Sequence, residues 1–164
     1  VGVLGVVAAC GEEEAERYDP DEVIAAAVNF SDYERMDLER QPTGHKDLTA
    51  SMSIWANEPA AEIFRTLDPL DLDQEAEFPP GAVLVKEMYT LDGEPTPELF
   101  VLAKFEAGYN DRANDWFFAR ISREGEVLDG ISGKGGEVEF CADCHSSMGG
   151  NSDFVIGLPA ENQR

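Results

Sequence analysis

The chain has 164 residues, 43% of them hydrophobic, which suits one domain with a real core. Against 12 basic residues stand 34 acidic ones, for a formal charge of −22. That balance excludes nucleic acid as a partner, because its phosphates would repel the protein. It suits solubility first and attraction to a basic partner protein second. No internal repeat is present.

Residues Val1 to Ala9 are small and apolar and run into Cys10. This reads as the end of a bacterial lipoprotein signal peptide, truncated at its start, in which Cys10 is the residue that becomes lipidated. The apolar run is too short to span a bilayer. The expected layout is a signal remnant over 1–10, an acidic tether over 11–19 and a folded domain over 20–164. The mature protein would then sit on the periplasmic side of a bacterial membrane, held by a lipid anchor. The competing reading of the same residues is a buried N-terminal strand with an incidental cysteine.

Asp19-Pro20-Asp21-Glu22 is a helix start: Asp19 can cap, Pro20 suits the first position, and the acids complement the helix dipole. Val23, Ile24, Ala27 and Val28 give one apolar stripe, so a helix is expected over about 20–29, with a second turn through Tyr33 and Met36. Gln41-Pro42-Thr43-Gly44 breaks it. Ser51 to Trp55 alternates and predicts a strand. Asn57 can cap a short helix that runs from Glu58 to Phe64. Residues 67–77 are acidic and without period, hence a loop.

Phe78-Pro79-Pro80-Gly81 marks a turn into a strand over 82–90, with Val83, Val85 and Glu87 on one face and Leu84, Lys86 and Met88 on the other. A loop over 93–97, a strand over 99–106, a loop from Gly108 and strands over 116–122 and near Val127 follow. Residues 131–136 are Gly-rich and read as a flexible lead to the C-terminal segment. The order predicts an α+β fold, mainly β: one curved antiparallel sheet with a few short helices.

The chain then reaches Cys141-Ala142-Asp143-Cys144-His145. Two thiols three residues apart, followed at once by an imidazole, match the attachment pattern of c-type haem. On a helix the two sulfurs share a side and can reach the two vinyl groups of one porphyrin edge, and His145 can turn under the iron as proximal ligand. Zinc would need about four ligands, and beyond these three the other Cys or His residues are Cys10 and His45. A thioredoxin-type pair would be expected near the start of a βαβ unit, not close to the chain end. One covalent haem c per chain on a C-terminal attachment helix is therefore the expected cofactor, with the zinc, dithiol and chance-match readings weighed beside it.

Phe78-Pro79-Pro80-Gly81-Ala82-Val83-Leu84-Val85-Lys86-Glu87, then Ala103-Lys104, Asp115-Trp116 and the terminal Cys-x-x-Cys-His, resemble the cytochrome P-460 and cytochrome c′-β family over roughly residues 20–157. The resemblance implies a homodimeric, sheet-rich monohaem protein with His145 as proximal ligand and an open distal side. It implies a small-molecule ligand or substrate, hydroxylamine or nitric oxide, and a redox partner protein. In hydroxylamine-oxidising members a lysine is cross-linked to the porphyrin, and Lys86 matches it. A carboxylate assists proton transfer there, and Glu106 is the nearest match.

Read from the residues alone, Lys86 is first a solvated or edge-strand lysine that discourages aggregation, and only the resemblance turns it toward a haem. Glu106 shares a strand face with Lys104 and Leu102 and reads as an exposed ion-pairing acid before it reads as a catalytic one. His45 reads as a surface histidine before it reads as a distal ligand. Met148 is too near His145 to reach the opposite face of the iron, whereas Met52 and Met88 remain candidates for a sixth ligand. Phe105, Trp116, Phe117 and Phe118 are expected in the core. The functional alternatives are a five-coordinate haem that binds or oxidises a small nitrogen species, a six-coordinate electron carrier, and a haem-bearing module of a larger lipid-anchored assembly.

Overall fold

The computed structural model describes residues 17–43, 51–71, 73–149 and 151–164. Cys10, the lipoprotein segment and His45 lie outside the described residues. Helix α1 (Pro20–Ala27) starts where Asp19 and Pro20 predict: the Asp19 carboxylate accepts the Asp21 N–H at 2.8 Å. Val23, Ile24 and Ala27 are its buried side.

The second helical turn expected through Tyr33 and Met36 does not form. A 3-10 turn over Phe30–Asp32 leads into β1 (Glu34–Arg35), which pairs with Trp55 and Ala56. Long-range bonds override the local pattern here. The Met36 N–H reaches the Ile54 carbonyl at 2.8 Å, and the fully buried Asp37 carboxylate accepts from Arg35, from Ser53 Oγ and from the Ile54 N–H. Strand β2 (Gln41–Pro42) pairs with the next strand, β3 (Ser51–Ala56), as β1 does.

Helix α2 (Glu58–Phe64) is capped by Asn57. Strand β4 (Val83–Tyr89) follows as predicted. Strand β5 (Pro95–Lys104) begins earlier than the expected Leu99 and ends before Glu106. The turn is tight: Gly93 has φ 83, the Thr90 N–H bonds to Glu94 O at 2.8 Å, and Tyr89 already pairs with Pro95. Strand β6 (Trp116–Ser122) matches its prediction, whereas β7 (Val127–Gly133) extends through residues read as a flexible lead. Ser132 and Gly133 are held in register with Ala119 and Phe118. Helix α3 (Glu139–Gly149) carries the Cys-x-x-Cys-His segment.

The fold is mainly β within the α+β class: an open, antiparallel, seven-stranded sheet in the order β1-β3-β4-β5-β6-β7, with β2 also on β3. Alternation along each strand gives the sheet two covered faces. On one, α1 packs on Val83, Val85, Leu99, Val101, Phe117 and Ala119. On the other, Ala56, Leu84, Leu102, Trp116 and Phe118 meet Phe64 of α2, Val138 and the inner side of α3. Each such Leu or Phe removed from water contributes about 1.5–3 kcal/mol. The four expected core aromatics, Phe105, Trp116, Phe117 and Phe118, are all buried.

Candidate functional site

Register fixes which side chains stand beneath α3. One row across the sheet is Ala56, Leu84, Leu102, Phe118 and Gly133; the next is Ile54, Lys86, Phe100 and Arg120. Lys86 therefore stands on the face that carries α3, together with Leu84, as the alternation predicted.

The helix presents two different sides. Cys141 and Ala142 are half-buried against the core, His145 is half-buried, and Gly149 is buried. Phe140, Cys144 and Met148, spaced four residues apart, form an exposed apolar ridge in which Cys144 Sγ lies 3.9 Å from Met148 Sδ. Both thiols are free. Burial pushes the Cys141 thiol pKa up.

The His145 ring packs edge-on to Phe118, with centroids 5.6 Å apart. Its Nδ1 lies 2.8 Å from the Phe154 carbonyl oxygen. A carbonyl only accepts, so Nδ1 carries the proton, and Nε2 keeps the lone pair that a metal would use. Burial, and then the positive charge of Lys86, push the His145 pKa down to about 4, while the Phe154 carbonyl acts against them. The ring is thus neutral near pH 7, the form that ligates a metal.

Lys86 is half-buried, and burial pushes its amine down to about 8, with Cys144 acting the other way. Strand spacing and rise put the Lys86 and Phe118 Cα atoms roughly 12 Å apart, and the Lys86 charge acts on the His145 ring that packs on Phe118. The structure therefore brings Lys86, Cys144 and His145 into one electrostatic neighbourhood. An amine with this pKa is partly deprotonated near neutrality and is a competent nucleophile.

Glu106 is not brought there. The strand ends at Lys104, and the Glu106 carboxylate accepts the Tyr18 N–H at 3.2 Å, roughly 20 Å along the chain from the Phe100 position opposite Lys86. Lys104, its expected ion-pairing neighbour, is buried and paired with Asp153 instead. Met52 and Met88 are cross-strand partners two positions along from Lys86, on the same face. Met148 lies on the exposed ridge of α3.

Three contributors were not singled out by the sequence reading. Phe154 supplies the carbonyl for His145. Gly149 lets α3 approach it: a Cβ there would stand 2.7 Å from the Phe154 carbonyl carbon and 2.8 Å from the Val155 nitrogen. Arg120, in register with Phe100, donates to Glu98 at 2.6 Å and to Asp129 at 2.7 Å. The Gly149-Gly150 pair just after the motif was the available signal for close packing; the other two depend on contacts distant in sequence.

No protein-family model matches the chain, and no curated protein matches it. The donor set itself is informative. Among the described residues no three His, Cys, Asp or Glu side chains converge as a ready-made site for a bare ion. Two free thiols on one helix, a neutral imidazole with its Nδ1 anchored, and an apolar floor of Leu84, Leu102 and Phe118 fit a covalently tethered porphyrin.

Proposed function

We propose that this chain is an exported monohaem c-type cytochrome, of the cytochrome P-460 and cytochrome c′-β kind, that binds or oxidises a small nitrogen species such as hydroxylamine or nitric oxide. The observation that carries the reading is the anchoring of His145 Nδ1 on the Phe154 carbonyl within the Cys-x-x-Cys-His helix. Metal-ligating histidines characteristically donate their second ring N–H in this way, which fixes the tautomer and the ring direction.

Cys141 and Cys144 would hold the haem by thioethers, and His145 Nε2 would ligate its iron. The haem, when bound, supplies the redox and ligand-binding chemistry of its iron. The chain's own groups do the rest. Phe154 orients the imidazole, and the apolar row of Leu84, Leu102 and Phe118 excludes water. Lys86 offers an amine that is easily deprotonated, able to take a proton from a small substrate held beside it. Glu106, occupied by the Tyr18 N–H, is the weaker candidate for a proton-transfer role. A homodimer, a basic redox partner and lipid anchoring through Cys10 belong to the same proposal.

One observation favours the electron-carrier reading: Met52 and Met88 lie on the Lys86 face, where a thioether could supply a second protein ligand to the iron. The test is the intact mass of the chain made in a host that matures c-type cytochromes, with the reduced optical spectrum with and without carbon monoxide. One covalent haem, lost in Cys141→Ala/Cys144→Ala, and a spectrum altered by the gas are expected. A spectrum unchanged by the gas would favour the electron carrier, and haem-free mass would sink both readings.

A further inference from the structure

Behind His145 lies a polar cluster that the haem chemistry does not use. Asp153 and Lys104 are both buried, at 4% and 6% exposure. The Lys104 amine donates to both Asp153 carboxylate oxygens at 2.8 Å and to the Asn114 carbonyl at 2.7 Å. Asp153 Oδ2 also accepts the Phe78 N–H at 2.9 Å, and Oδ1 accepts from the Asn114 side-chain amide and from Trp116 Nε1. The same indole N–H lies 2.7 Å from the Asp153 main-chain carbonyl. Strands β5 and β6 and the turn before β4 thus all grip one residue.

That residue sits in an improbable piece of backbone. Asp153 and Phe154 are consecutive left-handed residues, with φ 53 and 65. For an L-residue each costs roughly 1–2 kcal/mol, and a phenylalanine has no compensating local hydrogen bond of its own. Such a conformation persists only where its surroundings over-determine it. A buried ion pair is moreover a poor way to add stability, since desolvation consumes most of its attraction. What the cluster secures is direction: the next carbonyl, that of Phe154, is the one at 2.8 Å from His145 Nδ1.

We propose that the Lys104–Asp153–Trp116 cluster is a positioning device that holds the Phe154 carbonyl against His145, and so sets the tautomer of the ring and its strength as an iron ligand. The inference rests on the haem reading for its consequence at iron, but not for the hydrogen bond itself. With the cluster intact, Nδ1 keeps its proton and the imidazole is a strong donor. With it weakened, residues 153 and 154 relax toward negative φ, the carbonyl turns away, and the Nδ1–H tautomer loses its partner.

The experiment compares the full chain with Asp153→Asn, which keeps the shape and removes the charge, and with Trp116→Phe, which keeps a smaller aromatic ring and removes the N–H. Glu87→Gln is the control: it alters a buried acid on the α1 face that accepts from Trp55, Tyr89 and Arg123. The first readout is the tautomer of His145 by nitrogen NMR of histidine-labelled, haem-free chain, assigned with His145→Ala. The second is the reduction potential of the holoprotein. Asp153→Asn and Trp116→Phe should shift His145 from the Nδ1–H tautomer to a mixture and raise the potential, while Glu87→Gln lowers stability and moves neither. A pure Nδ1–H tautomer in both cluster variants overturns the inference. Wild-type chain without covalent haem overturns the haem reading alone, because the tautomer shift would still be seen. Should Asp153→Asn fail to fold, Trp116→Phe carries the same two readouts.

Discussion

Replacing Lys86 by methionine should stabilise the haem-free protein at neutral pH. The lysine amine has an ordinary pKa of 10.5 and is brought to about 8 by burial. The folded pKa lies below the unfolded one, so the charged amine opposes folding. This opposition is complete below about pH 8, declines between 8 and 10.5 as the unfolded chain alone still binds the proton, and is gone above 10.5. The difference between those pKa values corresponds to about 3 kcal/mol. Methionine keeps the unbranched stem and removes the charge, so Lys86→Met should gain up to about 3 kcal/mol at pH 7 and almost nothing near pH 10.5. With a urea slope of about 1–3 kcal/mol/M, the midpoint at pH 7 should rise by roughly 1–3 M. Urea unfolding followed by tryptophan fluorescence, under reducing conditions at both pH values, measures it. A stability difference from wild type that is the same at pH 7 and at pH 10.5 would refute a lowered Lys86 pKa and with it the case for a nucleophile at this position.

Other outcomes follow from the same geometry. In the holoprotein, Lys86→Ala should change the haem spectrum or ligand affinity while the mass still shows one haem per chain; an unchanged spectrum would detach Lys86 from the site. Gly149→Ala forces a Cβ to within 2.7 Å of the Phe154 backbone, so it should lower stability by about 1–3 kcal/mol in urea unfolding and loosen the His145 contact. Trp116 is fully buried, stacks edge-on with Phe78 and donates to Asp153, and Trp116→Ala should lose about 3–5 kcal/mol by the same measurement. Cys10→Ser should release the protein from a detergent phase into the aqueous one if Cys10 is lipidated; wild-type protein that is wholly aqueous would favour the incidental-cysteine reading.

The parts of this molecule written in local sequence were legible. The Cys-x-x-Cys-His segment and the caps at Asp19 and Asn57 involve neighbours a few residues apart, and the structure forms α1, α2 and α3 around them. That Lys86 shares a face with Leu84 and Met88 was legible from the strand period, but which layer covers that face was not, because Val83 and Val85 are as apolar. Partners distant along the chain were not legible. Lys104 and Asp153 are 49 residues apart, and nothing near either one announces the other. Alternation put Glu106 on the face of Lys104, but Lys104 is the last residue of β5, and beyond it the period no longer says where a side chain goes. The turn predicted through Met36 failed for the same reason: the bonds that decide it come from Asp37 to Ser53 and Ile54.

What keeps Lys86 on the correct face is itself non-local. Because side chains alternate, a slip of one residue in β4 would present Val85 or Glu87 to α3 and turn the amine into the α1 core. Hydrophobic pattern alone resists that slip weakly, since both faces of β4 are apolar and Val83 and Val85 are as buried as Leu84. The register is instead clamped at the start of the strand. Asn57 accepts the Val83 N–H at 2.9 Å and donates to the Gly81 carbonyl at 2.8 Å, while Gly81 and Ala82 exchange backbone bonds with Lys104 at 2.9 Å each. Gly81 turns in with φ 88, close enough that a Cβ there would meet Tyr18 Oη at 2.6 Å. At the far end, the carboxylate of Glu87 is taken up on the α1 face by Trp55, Tyr89 and Arg123. A slip would bury that acid among apolar side chains without its donors, which costs several kcal/mol. The acid beside Lys86 thus does for register what the neighbouring valines cannot, and Lys86 stands on the α3 face because Glu87 faces away.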